Sequence, residues 1–69
     1  MEFSKSEIEI LDLLAQGLSN REISAKRFTS VSTTKAHLIK IYRKMGLRYT
    51  EATRLKAILM YKELINGVE

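Results

Sequence analysis

The feature that most restricts the fold of this chain is a capping pattern that occurs twice, at Ser4–Glu7 and at Ser19–Glu22. In each copy a serine hydroxyl can accept a hydrogen bond from the glutamate amide, while the glutamate carboxylate accepts one from the serine amide. Gly17 lies between the copies, at a position typical of a helix end. The pattern therefore predicts one helix over residues 5–17 and a second that starts at residue 20, after a sharp bend.

Two further helices follow from the remaining breaks and from the apolar spacing. The chain has no proline, so its other glycines, Gly46 and Gly67, are the next expected helix ends. Ser30 is a further cap candidate, and apolar residues recur after it at helical rather than strand spacing. The sequence thus predicts an all-α domain with four helices, over about residues 5–17, 20–27, 31–45 and 51–65.

Apolar stripes on the first and fourth helices predict how these helices pack. On the first helix the expected stripe consists of Ile8, Leu11, Ala15 and Leu18, widened by Ile10 and Leu14. The fourth helix has two stripes, Ala52/Leu55/Leu59/Lys62 and Ile58/Tyr61/Ile65. One stripe can close the core, and the other would be covered by a second copy of the chain. The predicted homodimer residues are Ile58, Tyr61 and Ile65.

Length and composition exclude several classes of protein. The chain has 69 residues, which fits one domain over residues 1–69, and it has no cysteine for a disulfide or a thiolate metal site. No apolar run reaches the roughly 20 residues of a membrane span, and the first residues lack a signal-peptide pattern, so a cytoplasmic protein is expected. The net charge of +4 makes a polyanion a plausible partner, provided that the basic residues collect on one face.

The second and third helices, joined by a turn of about three residues, form a helix-turn-helix arrangement. At 100° per residue, the face of the third helix opposite its apolar stripe carries basic side chains with small residues between them. Such a face suits the major groove of DNA, although the same basic residues can simply solvate a surface helix. This face presents Ser32, Ala36, Ile39 and Arg43, flanked by Lys35 and Lys40.

Two segments, SEIEILDLLAQGLSNREIS and FTSVSTTKAHLIKIYRKMGL, resemble the LuxR/FixJ family of DNA-binding domains from bacterial transcription regulators. The resemblance spans residues 3 to about 52. It implies a helix-turn-helix domain that binds double-stranded DNA, with Lys35, Ala36 and Ile39 facing bases. Lys40 and Arg43 are added by the helical projection. The resemblance further implies phosphate contacts from Ser19, Asn20, Ser30, Thr33 and Lys44.

His37 also stands where the family has histidine, and a role within the fold is favoured over a phosphate contact. The largest departure from the family is Arg27, which replaces a leucine that packs the second helix against the third. Either Phe28 takes over this packing while Arg27 turns outward toward the DNA backbone, or the turn is rearranged. Thr29 and Thr34 also replace aliphatic residues, and the loop at residues 48–51 is one residue shorter than usual.

Together these observations predict a sequence-specific transcription regulator domain that binds a pseudo-palindromic duplex as a homodimer, with RNA polymerase as a further candidate partner. No catalytic residues, metal ligands, cofactor or small-molecule ligand are expected, because the chain has one histidine and no cysteine. The alternative is a protein-interaction module that kept the fold and uses Ala36, Ile39 and the fourth helix to bind another protein. Salt dependence separates the two, because phosphate contacts weaken steeply with salt.

Overall fold

The computed structural model describes residues 2–66, and within this range the chain forms four α-helices, one 3-10 turn and no strand. The predicted all-α class is confirmed. The fourth helix begins where predicted, but its first turn is a 3-10 helix; the break predicted at Gly67 lies outside the described residues. The elements are α1 (Lys5–Ala15), α2 (Asn20–Lys26), α3 (Val31–Lys44), the 3-10 turn (Glu51–Thr53) and α4 (Arg54–Asn66).

Both predicted capping boxes are present and start α1 and α2. The Ser4 amide donates to the Glu7 carboxylate at 2.8 Å, and the Glu7 amide donates to the Ser4 hydroxyl at 3.2 Å. Ser19 and Glu22 form the same pair of bonds at 2.8 and 3.1 Å. The bond from the Ser19 amide lowers the pKa of Glu22. Ser30 caps α3 by accepting from the Thr33 amide at 3.1 Å.

Three helices end in the same hydrogen-bonded motif, with a left-handed residue just after the helix. Gly17 and Gly46 occupy that position after α1 and α3, with φ of 91° and 74°. After α2 the position is taken by Phe28, with φ of 55°. Its amide donates to the Ala25 carbonyl, and the Thr29 amide donates to the Ser24 carbonyl, which is the Schellman arrangement. Left-handed backbone is strained for a side chain as large as phenylalanine.

All four helices contribute to the core, and α2 packs against α3. Ile8, predicted to face inward, is exposed, because Glu7 instead occupies the inward position one helical turn before Ile10 and Leu11. Tyr42 contributes the largest fully buried side chain. The core consists of Ile10, Leu11, Leu14, Ile23, Leu38, Ile41, Tyr42, Met45, Ala57 and Tyr61.

The inward face of α4 includes Ile58 and Tyr61, two of the three residues predicted to bind a second copy, whereas Ile65 is exposed. Tyr61 is buried against α1, where its hydroxyl donates to the Asp12 carboxylate. Burial, with Asp12 beside the hydroxyl, raises the pKa of Tyr61 to about 12. Ala57 allows α4 to lie close to the core, and Ile58 is half-buried there. The prediction that Tyr61 lies on an exposed surface is therefore wrong, and the outward stripe of α4 is the one with Leu55.

A buried polar contact joins α2 to α3. The hydroxyls of Ser24 and Thr34 lie 2.7 Å apart, and the Ser24 hydroxyl is also 2.7 Å from the Asn20 carbonyl. This contact explains why threonine can stand at a position where an aliphatic residue is usual: its hydroxyl has a partner. Within residues 2–66, no helix is long and apolar enough to cross a membrane.

Candidate nucleic-acid interface

The outward face of α3 is built as the helical projection predicts. Thr34, Leu38 and Ile41 are buried on one side of the helix. The side chains at the opposite positions are exposed, and His37 is half-buried between the two faces. The packing of the inward side therefore determines which residues a ligand can reach. The exposed side chains are Ser32, Thr33, Lys35, Ala36, Ile39, Lys40 and Arg43.

Charge is distributed unevenly along the chain, and α3 lies in its most basic part. Residues 23–50 contain no aspartate or glutamate and seven of the twelve lysines and arginines. The acidic residues lie in or before α1, in the first turn of α2 and in the segments after α3. A helix that lacks acidic side chains presents a continuous positive field to a polyanion. The seven basic residues are Lys26, Arg27, Lys35, Lys40, Arg43, Lys44 and Arg48.

The first turn of α3 leaves backbone donors beside this positive surface. Because Ser30 caps the Thr33 amide, and the Ser30 carbonyl accepts from Thr34, the amides of Val31 and Ser32 stand outside the intrahelical ladder. The Thr33 hydroxyl lies 2.9 Å from that of Ser30. Amides and hydroxyls at a helix N-terminus suit phosphate oxygens.

The side chain of Asn20, predicted to contact phosphate, is already used within the fold. Its amide nitrogen donates to the Tyr49 hydroxyl at 2.9 Å, and its oxygen accepts from Arg54 at 3.2 Å. Arg54 also donates to the Leu18 carbonyl. These bonds tie the start of α2 to Tyr49 and to the first residue of α4. What α2 can offer a phosphate is therefore the backbone at its N-terminus and the Ser19 region, rather than the Asn20 amide group.

A cleft of about 470 Å³ opens between the first turns of α3, the start of α2 and the segment that leads into α4. Lys35 is the predicted base-facing residue that also lines this cleft. The T-shaped pair of Tyr42 and Tyr49, with ring centroids 5.2 Å apart, forms part of its wall. The cleft lining consists of Asn20, Val31, Lys35, Tyr42, Tyr49, Thr50, Glu51 and Arg54.

Lys44, the last predicted phosphate contact, has its partners inside the molecule. Its ammonium donates to the buried Glu7 carboxylate at 2.7 Å and to the Glu2 carbonyl at 3.2 Å, and it lies 5.9 Å from the centre of the Phe3 ring. The bond from Lys44 is the main reason why the pKa of Glu7 is lowered. Moving this ammonium to a phosphate would leave a buried carboxylate unpaired, which is costly. The structure therefore gives Lys44 a role in the fold, and its predicted phosphate contact stays a prediction.

Sequence reasoning missed this ion pair, although a signal was present. Glu7 precedes Ile10 and Leu11 by three and four residues, so it shares their inward face. An acidic residue on an apolar face requires a cation. The pattern does not say which of the twelve lysines and arginines supplies it.

The first alternative for the Arg27–Phe28 pair is wrong. Phe28 is 96% exposed, so it does not pack α2 against α3. Arg27 does not turn toward the outward face of α3; it lies against α1, 2.5 Å from the Glu9 carboxylate. The alternative of a rearranged turn agrees better with the left-handed backbone at Phe28.

Comparison with known proteins identifies the family. Residues 1–56 match the bacterial regulatory proteins of the luxR family, also called GerE. The chain belongs to the luxR family. The oxygen regulatory protein NreC from Staphylococcus aureus strains JH9 and JH1 is 51% identical to this luxR-family chain over 45 residues. The match covers 65% of this chain and 21% of each relative, so the chain spans about a fifth of their length. No solved structure matches it.

Membership in this family indicates the general function of the chain. This luxR-family chain is a helix-turn-helix domain of a family of DNA-binding transcription regulators, and that family is not a class of enzyme. The helix order and the exposed basic face of α3 agree with such a domain.

Proposed function

We propose that this luxR-family domain binds a specific duplex sequence with α3 in the major groove, and that it regulates transcription from that site. The observation that carries the proposal is the division of α3 into two faces. Leu38 and Ile41 hold the helix against the core. Every side chain that a duplex would meet on the other face is basic, small, hydroxylated or apolar. That mixture can read base edges without an acidic side chain repelling the phosphates.

Base discrimination is assigned to the outward face. Lys35 and Arg43 donate hydrogen bonds and favour guanine acceptors, with Lys40 beside them. Ala36 is small enough for the helix to approach the base edges closely. Ile39 adds an apolar contact.

Phosphate contacts come from the N-termini of α2 and α3. Ser30, Ser32 and Thr33 supply hydroxyls and backbone amides at the start of α3, and Ser19 and Asn20 supply the corresponding backbone at the start of α2. Helix N-termini favour anions through their free amides and their dipole. These contacts carry most of the affinity and little of the sequence preference.

A second copy of the domain completes the proposed complex. The outward stripe of α4 exposes Leu55 and Leu59, and Ile65 is half-exposed near its end. A two-fold pair joined through this stripe would present two α3 helices to a pseudo-palindrome, whose half-sites lie about one helical turn of DNA apart or a multiple of it. We further propose that residues 1–69 act as one domain, that the complex works in the bacterial cytoplasm, and that RNA polymerase is a partner at the promoter.

The test is selection from a randomised duplex library at two salt concentrations. The wild-type chain should enrich a pseudo-palindrome and bind it less tightly as salt rises. The Lys35→Ala/Arg43→Ala variant should lose the enrichment while its helical circular dichroism stays unchanged. Lys5→Ala/Lys56→Ala is the matched control: it removes the same charge from exposed positions on α1 and α4, and it should enrich the same sequence.

Two results would contradict the proposal. If the wild-type chain enriches no sequence, or if the control loses enrichment as fully as the Lys35→Ala/Arg43→Ala variant, α3 is not the reading element. Binding to another protein through Ile39 and the α4 stripe would then be the function to pursue.

A further inference from the structure

Ile39 occupies the middle of the outward face of α3, and more than a third of its surface is exposed. Its side chain is 37% exposed, whereas the neighbouring Leu38 is 0% exposed. Lys35 lies one helical turn before it and Arg43 one turn after it, both exposed. Ile39 is therefore a branched apolar side chain placed between two hydrogen-bond donors, on the face that α3 would turn to the bases.

The chemistry of isoleucine limits what it can contact in a major groove. Lys35 and Arg43 are satisfied by guanine acceptors or phosphates, but Ile39 can neither donate nor accept a hydrogen bond. A polar base edge beneath it would lose water without gaining a hydrogen-bond partner, which is unfavourable. Among the four bases, thymine alone presents an apolar group at that edge, its C5 methyl.

We propose that Ile39 is a specificity-determining residue that selects a thymine in each half-site by contact with the C5 methyl group. The inference rests on the proposed placement of α3 in the major groove. Ala36, one turn earlier on the same face, leaves space for the methyl group to approach. Four residues of helix advance about 6 Å, close to two base-pair steps of about 3.4 Å. The selected thymine should therefore lie about two base pairs from the guanine that Lys35 contacts.

Deoxyuridine substitution tests the proposal directly, because it removes the methyl group and leaves the pairing edge of the base intact. In the enriched duplex, each thymine is replaced singly by deoxyuridine, and affinity is measured by titration. One position in each half-site should lose about fourfold in affinity, the value expected for removal of one buried methyl group.

Ile39→Ala identifies the side chain responsible. This variant should bind the thymine and deoxyuridine duplexes equally at that position. Ile8→Ala is the matched control, since Ile8 is also 37% exposed but lies on α1, and it should keep the fourfold difference. A second variant, Ile39→Lys, introduces a donor and should change the selected base at that position from thymine to guanine in a repeated library selection.

The outcomes separate this inference from the function on which it rests. If no sequence is enriched, both the proposed function and the assignment of Ile39 are wrong. If a sequence is enriched but no thymine shows a methyl effect that disappears in Ile39→Ala, the assignment of Ile39 is overturned while the proposed function stands. Unchanged base preference in Ile39→Lys would overturn the assignment in the same way.

Discussion

Leu38 and Ile39 are consecutive on α3, yet they lie in two different environments. Leu38 is enclosed by the core, and Ile39 faces solvent among lysine and arginine side chains. The same contrast runs along the helix, with Thr34, Leu38 and Ile41 inward and Ala36, Ile39 and Arg43 outward. The inward face holds the helix in place, so the outward face can change sequence without unfolding the domain. Each prediction below tests this division.

The largest difference is expected between alanine substitutions at the two neighbours. Leu38→Ala should lower the free energy of unfolding by about 2–5 kcal/mol, because it opens a cavity in a fully packed core. Ile39→Ala should change it by less than about 0.5 kcal/mol, as expected for a surface position. Urea denaturation followed by circular dichroism measures both. Equal losses of stability would show that Ile39 packs inward and does not belong to the outward face of α3.

The next largest difference in stability is expected between substitutions at Lys44 and at Lys35. Both are lysines of α3, but of the two only Lys44 pairs with the buried Glu7 carboxylate. Lys44→Met should cost about 1–2 kcal/mol, less than a fully buried pair because the Lys44 side chain is partly exposed. Lys35→Met should leave stability within about 0.5 kcal/mol and lower DNA affinity instead. If Lys35→Met destabilises the fold as much as Lys44→Met, the division fails at this position.

The Lys44 effect should depend on pH. The pKa of Glu7 is lowered in the folded state, mainly by Lys44. A lowered carboxyl pKa adds stability above the ordinary value of 4.5 and loses it as pH falls through the folded value. The stability gap between wild type and Lys44→Met should therefore be full at neutral pH and close in acid. A gap that stays constant down to acid pH would mean that Lys44 acts through packing alone.

A substitution in the turn before α3 should stabilise the protein rather than destabilise it. Phe28→Gly should raise the free energy of unfolding by about 1 kcal/mol, because phenylalanine is strained in left-handed backbone and its side chain is 96% exposed. Gly17→Ala at the equivalent position after α1 should lower it by about 1 kcal/mol. A Cβ at Gly17 would meet no atom within 4 Å, so this loss is conformational. A destabilised Phe28→Gly variant would show that the aromatic ring contributes contacts to the fold.

The smallest effect is expected at a buried polar position. Thr34→Val should change stability by less than about 0.5 kcal/mol, because the Ser24 hydroxyl keeps the Asn20 carbonyl as its acceptor. Ser24→Ala should cost more, since it removes the hydroxyl that lies 2.7 Å from the buried Thr34 hydroxyl. Thermal unfolding of the two variants gives the comparison. The reverse order would mean that Thr34, rather than Ser24, holds the contact together.

Features that depend on neighbours in sequence were predictable. The helix starts at Ser4, Ser19 and Ser30 follow from hydrogen bonds between residues three apart. The ends at Gly17 and Gly46 follow from the backbone freedom of glycine. The outward face of α3 follows from its period alone, because a regular helix turns by the same angle at every residue.

Features that depend on which side chains meet across the fold were not predictable in the same way. The apolar pattern of α4 predicts that Tyr61 contacts a second copy, whereas its burial shows that it closes the core. Arg27 was expected to turn outward, but the helix crossing places it beside Glu9. Nothing in the sequence of α2 and α3 shows which lysines and arginines pair with a carboxylate within the fold and which face solvent.

The sequence by itself determined the helices, their order, the family and the residues that α3 turns outward, because these depend on local hydrogen bonds and on helical periodicity. The tertiary structure decided which charged side chains are paired within the fold. Glu7 and Lys44 are 37 residues apart and meet only because α1 and α3 pack together. Apolar packing sets the angle at which the helices cross, and this crossing brings the two side chains together. Because a buried carboxylate without a cation is costly, Lys44 stays paired with Glu7.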